Sequence, residues 1–159
     1  MGFNLKFYGG AYGLFGNKLK TAMDAVVRRF GLTGLISKKA GGLNDGYKKR
    51  LSMAVALMHN PDILFLDEPT SSIDPLARRL FWRSINRLAD EGKAIIVTTH
   101  FMEEAENCTR IAIQDRGHML ALGSPKEVKA VAGLPETANM NEAFIKIVKA
   151  YGEAGSADD

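Results

Sequence analysis

The thirteen residues ILFLDEPTSSIDP at 63–75 restrict the possible folds of this chain more than any other stretch. Ile63-Leu64-Phe65-Leu66 shows no polar alternation, which predicts a strand buried on both faces of a parallel sheet. Asp74-Pro75 supplies an N-cap and a first-turn proline for a helix, with Leu76, Leu80, Ile85 and Leu88 at helical spacing. Gly92 stops that helix, and Ala94-Ile95-Ile96-Val97 reads as a second buried strand. Strand, helix, strand implies a right-handed parallel crossover, so the fold class is α/β.

Polar chemistry collects where these strands end. An acid at the carboxyl end of a parallel strand stands where ligands bind in open α/β sheets. Asp67 and Glu68 follow β-type geometry, so the two side chains need not point the same way. That permits a division of labour in which one holds magnesium through its water shell and the other polarises an attacking water. His100 follows the next strand, in VTTH, and so emerges at the same sheet edge. Its neutral imidazole can donate a hydrogen bond to a terminal phosphate or order the water.

The rest of the chain frames this centre. The first sixteen residues interleave Phe3, Phe7, Tyr8, Tyr12 and Phe15 with Gly9, Gly10, Gly13 and Gly16. A helix pattern follows, with Leu19, Met23, Val26 and Phe30 on one face and Gly31 as its stop. Ser37 to Gly46 reads as a loop, and a second helix carries Leu51, Ala54, Val55 and Met58 before Asn60-Pro61. Ile111-Ala112-Ile113 and Met119-Leu120-Ala121-Leu122 flank Asp115-Arg116-Gly117 as a hairpin. Ser124-Pro125 starts a short helix, and a last one carries Phe144, Ile145, Val148 and Tyr151. The Gly/Ser/Asp tail reads as disordered. This divides the chain into 1–60, helical; 61–125, the catalytic core part; and 126–159, C-terminal helices and tail.

Composition excludes several classes. No segment approaches the ~18 apolar residues of a membrane span, and no basic region followed by an apolar run suggests a secretory signal. A net charge of +3 argues for no nucleic-acid partner, and Lys48-Lys49-Arg50 reads as a solvated helix face. The single Cys108 forms no disulfide framework and suits a reducing cytosol; with His59 and His118 it makes no metal-ligand spacing.

LDEPTSSIDP followed by VTTHFMEEAE resembles the ATPase subunit of an ATP-binding-cassette transporter of the drug-exporter type, and the resemblance spans nearly the whole chain. It implies a P-loop NTPase-like fold, with a partial parallel sheet and a helical subdomain. Asp67 matches the magnesium-holding acid of the second nucleotide motif (Walker B), and Glu68 the catalytic glutamate. Ser71-Ser72-Ile73-Asp74 matches the loop facing a partner subunit, and His100 the switch histidine. Leu43 to Leu51 stands at the family signature, which places Asn44, Asp45 and Gly46 against nucleotide. FNLKFYGGAYGL resembles the stretch after the family's glutamine loop, and NEAFIKIVKAYG its C-terminal helix.

Two departures from the family pattern matter. The signature Leu-Ser-Gly-Gly-Gln has Asn44 for serine, Asp45 for the first glycine and Tyr47 for glutamine, while Gly46 and Arg50 are kept. In the family this loop offers backbone N–H groups and a helix N-terminus to a phosphate. An inward Asp45 carboxylate would oppose that phosphate by ~1–4 kcal/mol at about 4 Å. The second departure is a missing phosphate loop (Walker A). That loop needs Gly, four residues, Gly-Lys and then Ser or Thr. The near miss AYGLFGNKL at 11–19 has Ala11 and Asn17 in the wrong places and no hydroxyl residue after Lys18.

The chain is therefore expected to resemble the carboxyl-terminal part of an ATPase domain, beginning inside the helical subdomain. It would bind ATP poorly alone and expose apolar surface on its strands. The resemblance implies ATP and Mg2+ as cofactors of the intact domain. It also implies a membrane permease and a second ATPase domain, as homo- or heterodimer, for partners. The expected location is cytoplasmic, peripheral to the inner face of the cell membrane. Two other readings stand beside this one: a non-catalytic module completing another subunit's ATP site, and a soluble relative in translation or repair.

Overall fold

The computed structural model describes residues 1–155, and residues 156–159, which end the tail read as disordered, lie outside the described residues. The chain divides into two compact units, Met1–Thr98 and Thr99–Asp159.

The first unit opens with three helices that pack pairwise: α1 (Gly2–Ala11), α2 (Gly16–Arg29) and α3 (Asp45–Leu57). Gly9 lets them close up, since a Cβ there would lie 2.3 Å from Leu19 Cδ1 and 2.6 Å from Met58 Cε. Leu5, Val26, Val27, Phe30, Leu51 and Ala54 are buried, as amphipathic spacing requires. Gly31, at φ +64°, ends α2 in the left-handed turn that glycine adopts freely. The segment read as a loop to Gly46 stops sooner. Asn44 caps α3 by accepting from the Tyr47 N–H at 3.0 Å, which puts Asp45 and Gly46 in the first helical turn.

β1 (Ile63–Asp67) and β2 (Ala94–Thr98) pair in parallel, from Ile63 opposite Ala94 to Asp67 opposite Thr98. Between them runs α4 (Pro75–Asp90), capped by the Asp74 carboxylate on the Ala77 N–H at 2.9 Å. Burial of the strands on both faces, expected from their apolar pattern, is corrected, and the exposed apolar strand surface expected from the resemblance is present. Leu64 is buried, but Phe65 is 75% exposed and Ile63 and Ile96 are each 54% exposed. Alternation along each strand puts one set of side chains inward, and the other face of this two-stranded sheet is uncovered among the described residues. The core face of α4 also differs from the reading. Phe81, Trp82, Ile85 and Leu88 are buried, whereas Leu76 and Leu80 are exposed. At 100° per residue, Phe81, Trp82 and Leu88 lie within about 60° of the direction of Ile85, while Leu80 and Leu76 sit about 140° and 180° from it, off the buried stripe.

The second unit contains α5 (Met102–Ala105), the antiparallel strands β3 (Ile111–Asp115) and β4 (His118–Gly123), α6 (Pro125–Val131) and α7 (Met140–Gly155). Arg116 and Gly117 turn the expected hairpin with φ of 46° and 82°, as a two-residue turn with both central φ positive demands. Its core joins Ala105, Ile113, Ala121, Val128, Met140, Ala143 and Ile147, with Phe144 and Val148 packed against them. Ile145, read as a core position of the last helix, is exposed, because Ala143 and Ile147 define the inward stripe and Ile145 falls two residues from each.

Candidate functional site

The end of β1 is built around one hydroxyl. Register places Thr98 directly opposite Asp67, and Thr98 Oγ1 donates to Asp67 Oδ1. The same Oγ1 accepts from the Glu68 N–H at 3.1 Å, a donor shared with the Thr98 carbonyl at 3.1 Å. Glu68 then takes φ +40°, a conformation that L-residues disfavour. Its carbonyl accepts from Ser71 N (3.2 Å), Ser71 Oγ (3.0 Å) and Lys49 Nζ (3.1 Å). The strand thus stops in a tight turn that leaves Asp67 and Glu68 exposed at the carboxyl edge, with Pro69 and Thr70 buried behind them.

A second group of predicted residues meets in a cleft of about 340 Å³. Asn44, Asp45 and Gly46 from the start of α3 line it together with Ser72, Ile73 and Asp74 from the start of α4. Tyr47, Arg50 and Ala77 complete the wall. The Arg50 guanidinium lies 5.4 Å from the centre of the Tyr47 ring, within cation–π range. Ser72, which lines the cleft, takes φ 63°. The Asp45 carboxylate accepts from Lys48 Nζ at 3.0 Å, which offsets part of the charge that would oppose an anion. Both groups are about half exposed, so the pair is worth at most ~1 kcal/mol.

The sequence-predicted residues therefore form two groups within the first unit: Asp67 with Glu68 at the strand end, and Asn44, Asp45, Gly46 with Asp74 in the cleft. His100 belongs to the second unit, where it is exposed and its ring lies 4.1 Å from that of Phe101. Nearby, the buried Glu104 accepts from Thr99 Oγ1 at 2.7 Å, and Thr99 Oγ1 also accepts from the Phe101 N–H at 3.0 Å, which fixes the backbone on both sides of the histidine. Sequence reasoning missed Thr98 and Lys49. The signal for Thr98 was its register opposite Asp67. Lys49 hid in a basic run read as a solvated face; Lys48 is exposed there, while Lys49 and Arg50 are half-buried, and all three also reach protein partners. No group of three or more His, Cys, Asp or Glu able to hold a metal occurs among the described residues, so any cation at Asp67 would need further ligands from water or nucleotide.

Comparison with known proteins gives these groups a context. A family model for ABC transporters matches residues 6–71, and one for an AAA domain (putative AbiEii toxin, type IV toxin–antitoxin system) matches residues 43–104. The chain is 45% identical over 147 residues to the probable multidrug ABC transporter ATP-binding protein YbhF of Escherichia coli (strain K12), covering 91% of this chain and 25% of that protein. It is 41% identical over 123 residues to the Nod factor export ATP-binding protein I of Rhizobium sp. (strain N33), covering 77% and 40%. It thus spans between a quarter and two-fifths of the length of these two relatives.

Solved structures agree on the fold. An ATP-binding subunit of an ABC transporter superposes with a TM-score of 0.78 at 24% identity, covering 92% of this chain and 61% of that one. CbiO1 from Clostridium perfringens, part of the ABC transporter complex cbiONQ, gives 0.69 at 29% identity, covering 77% and 51%. Relatives named for multidrug transport and Nod factor export and the shared fold agree: along most of its length this chain is similar to the ATP-binding domains of ATP-binding-cassette transporters.

Proposed function

We propose that the chain supplies the second-motif acids, the partner-facing loop and the signature cleft of an exporter-type ATP-binding domain. The phosphate-binding loop of that domain comes from polypeptide outside these 159 residues. The observation that carries this reading is the cleft itself, where Asn44–Gly46 and Ser72–Asp74, far apart in sequence, wall one space. Asp67 would hold Mg2+ through its waters, and Glu68 would polarise the attacking water. ATP with Mg2+ supplies the phosphoryl group and the charge that organises its oxygens when bound. His100 would donate to the terminal phosphate. Asn44, Asp45, Gly46 and Asp74 would complete the nucleotide site of a second ATPase domain across a dimer, homo- or heteromeric. Hydrolysis would drive a membrane permease contacted through α1 and the residue after it: Phe3, Phe7 and Tyr8 of α1 and the following Tyr12 are exposed, with Phe3 and Phe7 stacked at 6.4 Å. The domain would then sit at the cytoplasmic face of the membrane. No described helix is long and apolar enough to cross it.

The same cleft favours a narrower second reading, in which the chain completes a partner's site without turning over nucleotide itself. One set of measurements separates the two. The chain alone, given millimolar Mg-ATP, should show no thermal shift and no turnover. Mixed with an intact relative's ATP-binding domain, it should change that domain's ATPase rate, and Gly46→Arg should abolish the change. If Glu68→Gln also abolishes it, the chain is catalytic. If Glu68→Gln does not, it serves as a completing module. A clear shift with ATP alone, or no effect on any partner, would refute both.

A further inference from the structure

Lys49 sits one helical turn beyond the cleft residues that open α3, yet its side chain serves the other group of the site. Its ammonium donates to the Glu68 carbonyl at 3.1 Å and to Ser71 Oγ at 3.4 Å, although Lys49 and Glu68 are nineteen residues apart in sequence. Three donors meet on that carbonyl, while the Glu68 N–H is held by both oxygens of Thr98. Such clamping is what a residue with a Cβ needs in order to stay at φ +40°. Of the three donors on the carbonyl, the two from Ser71 belong to the turn itself. Lys49 alone reaches it from a different element.

We propose that Lys49 is a positioning residue that holds Glu68 in its left-handed conformation and couples the start of α3, hence the Asn44–Asp74 cleft, to that acid. The role of Glu68 in polarising water rests on the proposed function; the hold on its backbone does not. A phosphate seated at the start of α3 would displace the helix end, and the bond from the Lys49 ammonium to the Glu68 carbonyl would be strengthened or broken with it, so that the Glu68 peptide follows. The lysine would thereby report occupancy of one site to the acid of another.

The test uses isotopically labelled chain and follows Glu68 and Ser71 by NMR, without nucleotide. In Lys49→Met the Glu68 three-bond HN–Hα coupling and Cα shift should leave the left-handed range, and Ser71 amide exchange should quicken about tenfold, as the loss of one charged hydrogen bond implies. Lys49→Arg should restore both. Unchanged signals at Glu68 and Ser71 in Lys49→Met overturn the proposal. Should Lys49→Met fail to fold, the Glu68→Gly background decides, because glycine holds a positive φ unaided. Folding there supports the proposal, and failure there overturns it. In the complex with a partner ATPase, Lys49→Met should lower kcat at unchanged KM, with recovery in Lys49→Arg. An unaltered kcat beside an inactive Glu68→Gln overturns the coupling. Turnover surviving Glu68→Gln instead refutes the catalytic reading, and the NMR result still decides the role of Lys49.

Discussion

At the scale of single residues, the Thr98 hydroxyl performs two tasks. It donates to Asp67 and accepts from the Glu68 N–H, so both acids take their placement from one oxygen. Thr98→Val keeps the β-branched shape that a strand favours and removes only the hydroxyl. It should cost about 1–2 kcal/mol, read as a lower urea midpoint at constant m-value, because one carboxylate oxygen and one shared N–H lose a partner. An unchanged midpoint would show that the Thr98 carbonyl and water suffice. Thr98 was legible in the sequence only as part of VTTH, since its importance depends on which residue faces it across the ladder.

At the scale of elements, caps decide where the helices begin and so where the site residues stand. Asp74 fixes the first turn of α4 and lies on the cleft wall at once. Asp74→Ala should lower the stability of the chain by about 1 kcal/mol, with Asp74→Asn close to neutral, by chemical denaturation. If Asp74→Ala proves neutral, the Pro75 first turn alone sets the helix start. The capping box of α6 predicts a pH dependence. Glu127 accepts from the Ser124 N–H at 2.7 Å and from Ser124 Oγ at 2.9 Å, and these bonds favour the ionised form, with Arg110 adding to them. The carboxyl therefore titrates below the ordinary glutamate value in the folded state. A depressed acid contributes stability that is present above the unfolded-chain value and lost as the pH falls through the folded one. The acid limb of the wild-type stability curve should accordingly be steeper than that of Glu127→Gln. Parallel curves would contradict this. Both caps were readable as Asp-Pro and Ser-Pro pairs because capping is local chemistry.

At the scale of the whole molecule, the uncovered sheet face governs behaviour in solution. Phe65, Ile63 and Ile96 present apolar surface on strands whose outer edges are also unpaired among the described residues. Such surface seeks a partner, whether another part of an ATP-binding domain or a second copy. Phe65→Lys should raise the concentration at which the chain begins to associate by several-fold, followed by sedimentation velocity. Equal association in wild type and variant would place the sticky surface elsewhere, with the exposed aromatics of α1 next to be tested.

Sequence by itself determined most of the elements, the hairpin, the Asp74 and Ser124 caps and the resemblance, because these depend on neighbours a few residues apart and on motifs with fixed spacing; it did not delimit α1 or α5 or find the Asn44 cap. Asp67-Glu68 and the cleft residues were named from it for the same reason. It placed the wrong leucines of α4 in the core, and the strand pattern by itself pointed to burial on both faces where only the resemblance to part of a domain pointed to exposure, since an apolar residue is buried only if something covers it. The roles of Thr98 and Lys49 were decided by tertiary structure alone. A hydroxyl across a ladder and an ammonium nineteen residues away reach Glu68 only after the backbone has brought them within about 3 Å, a distance at which hydrogen bonds form and which no linear pattern records.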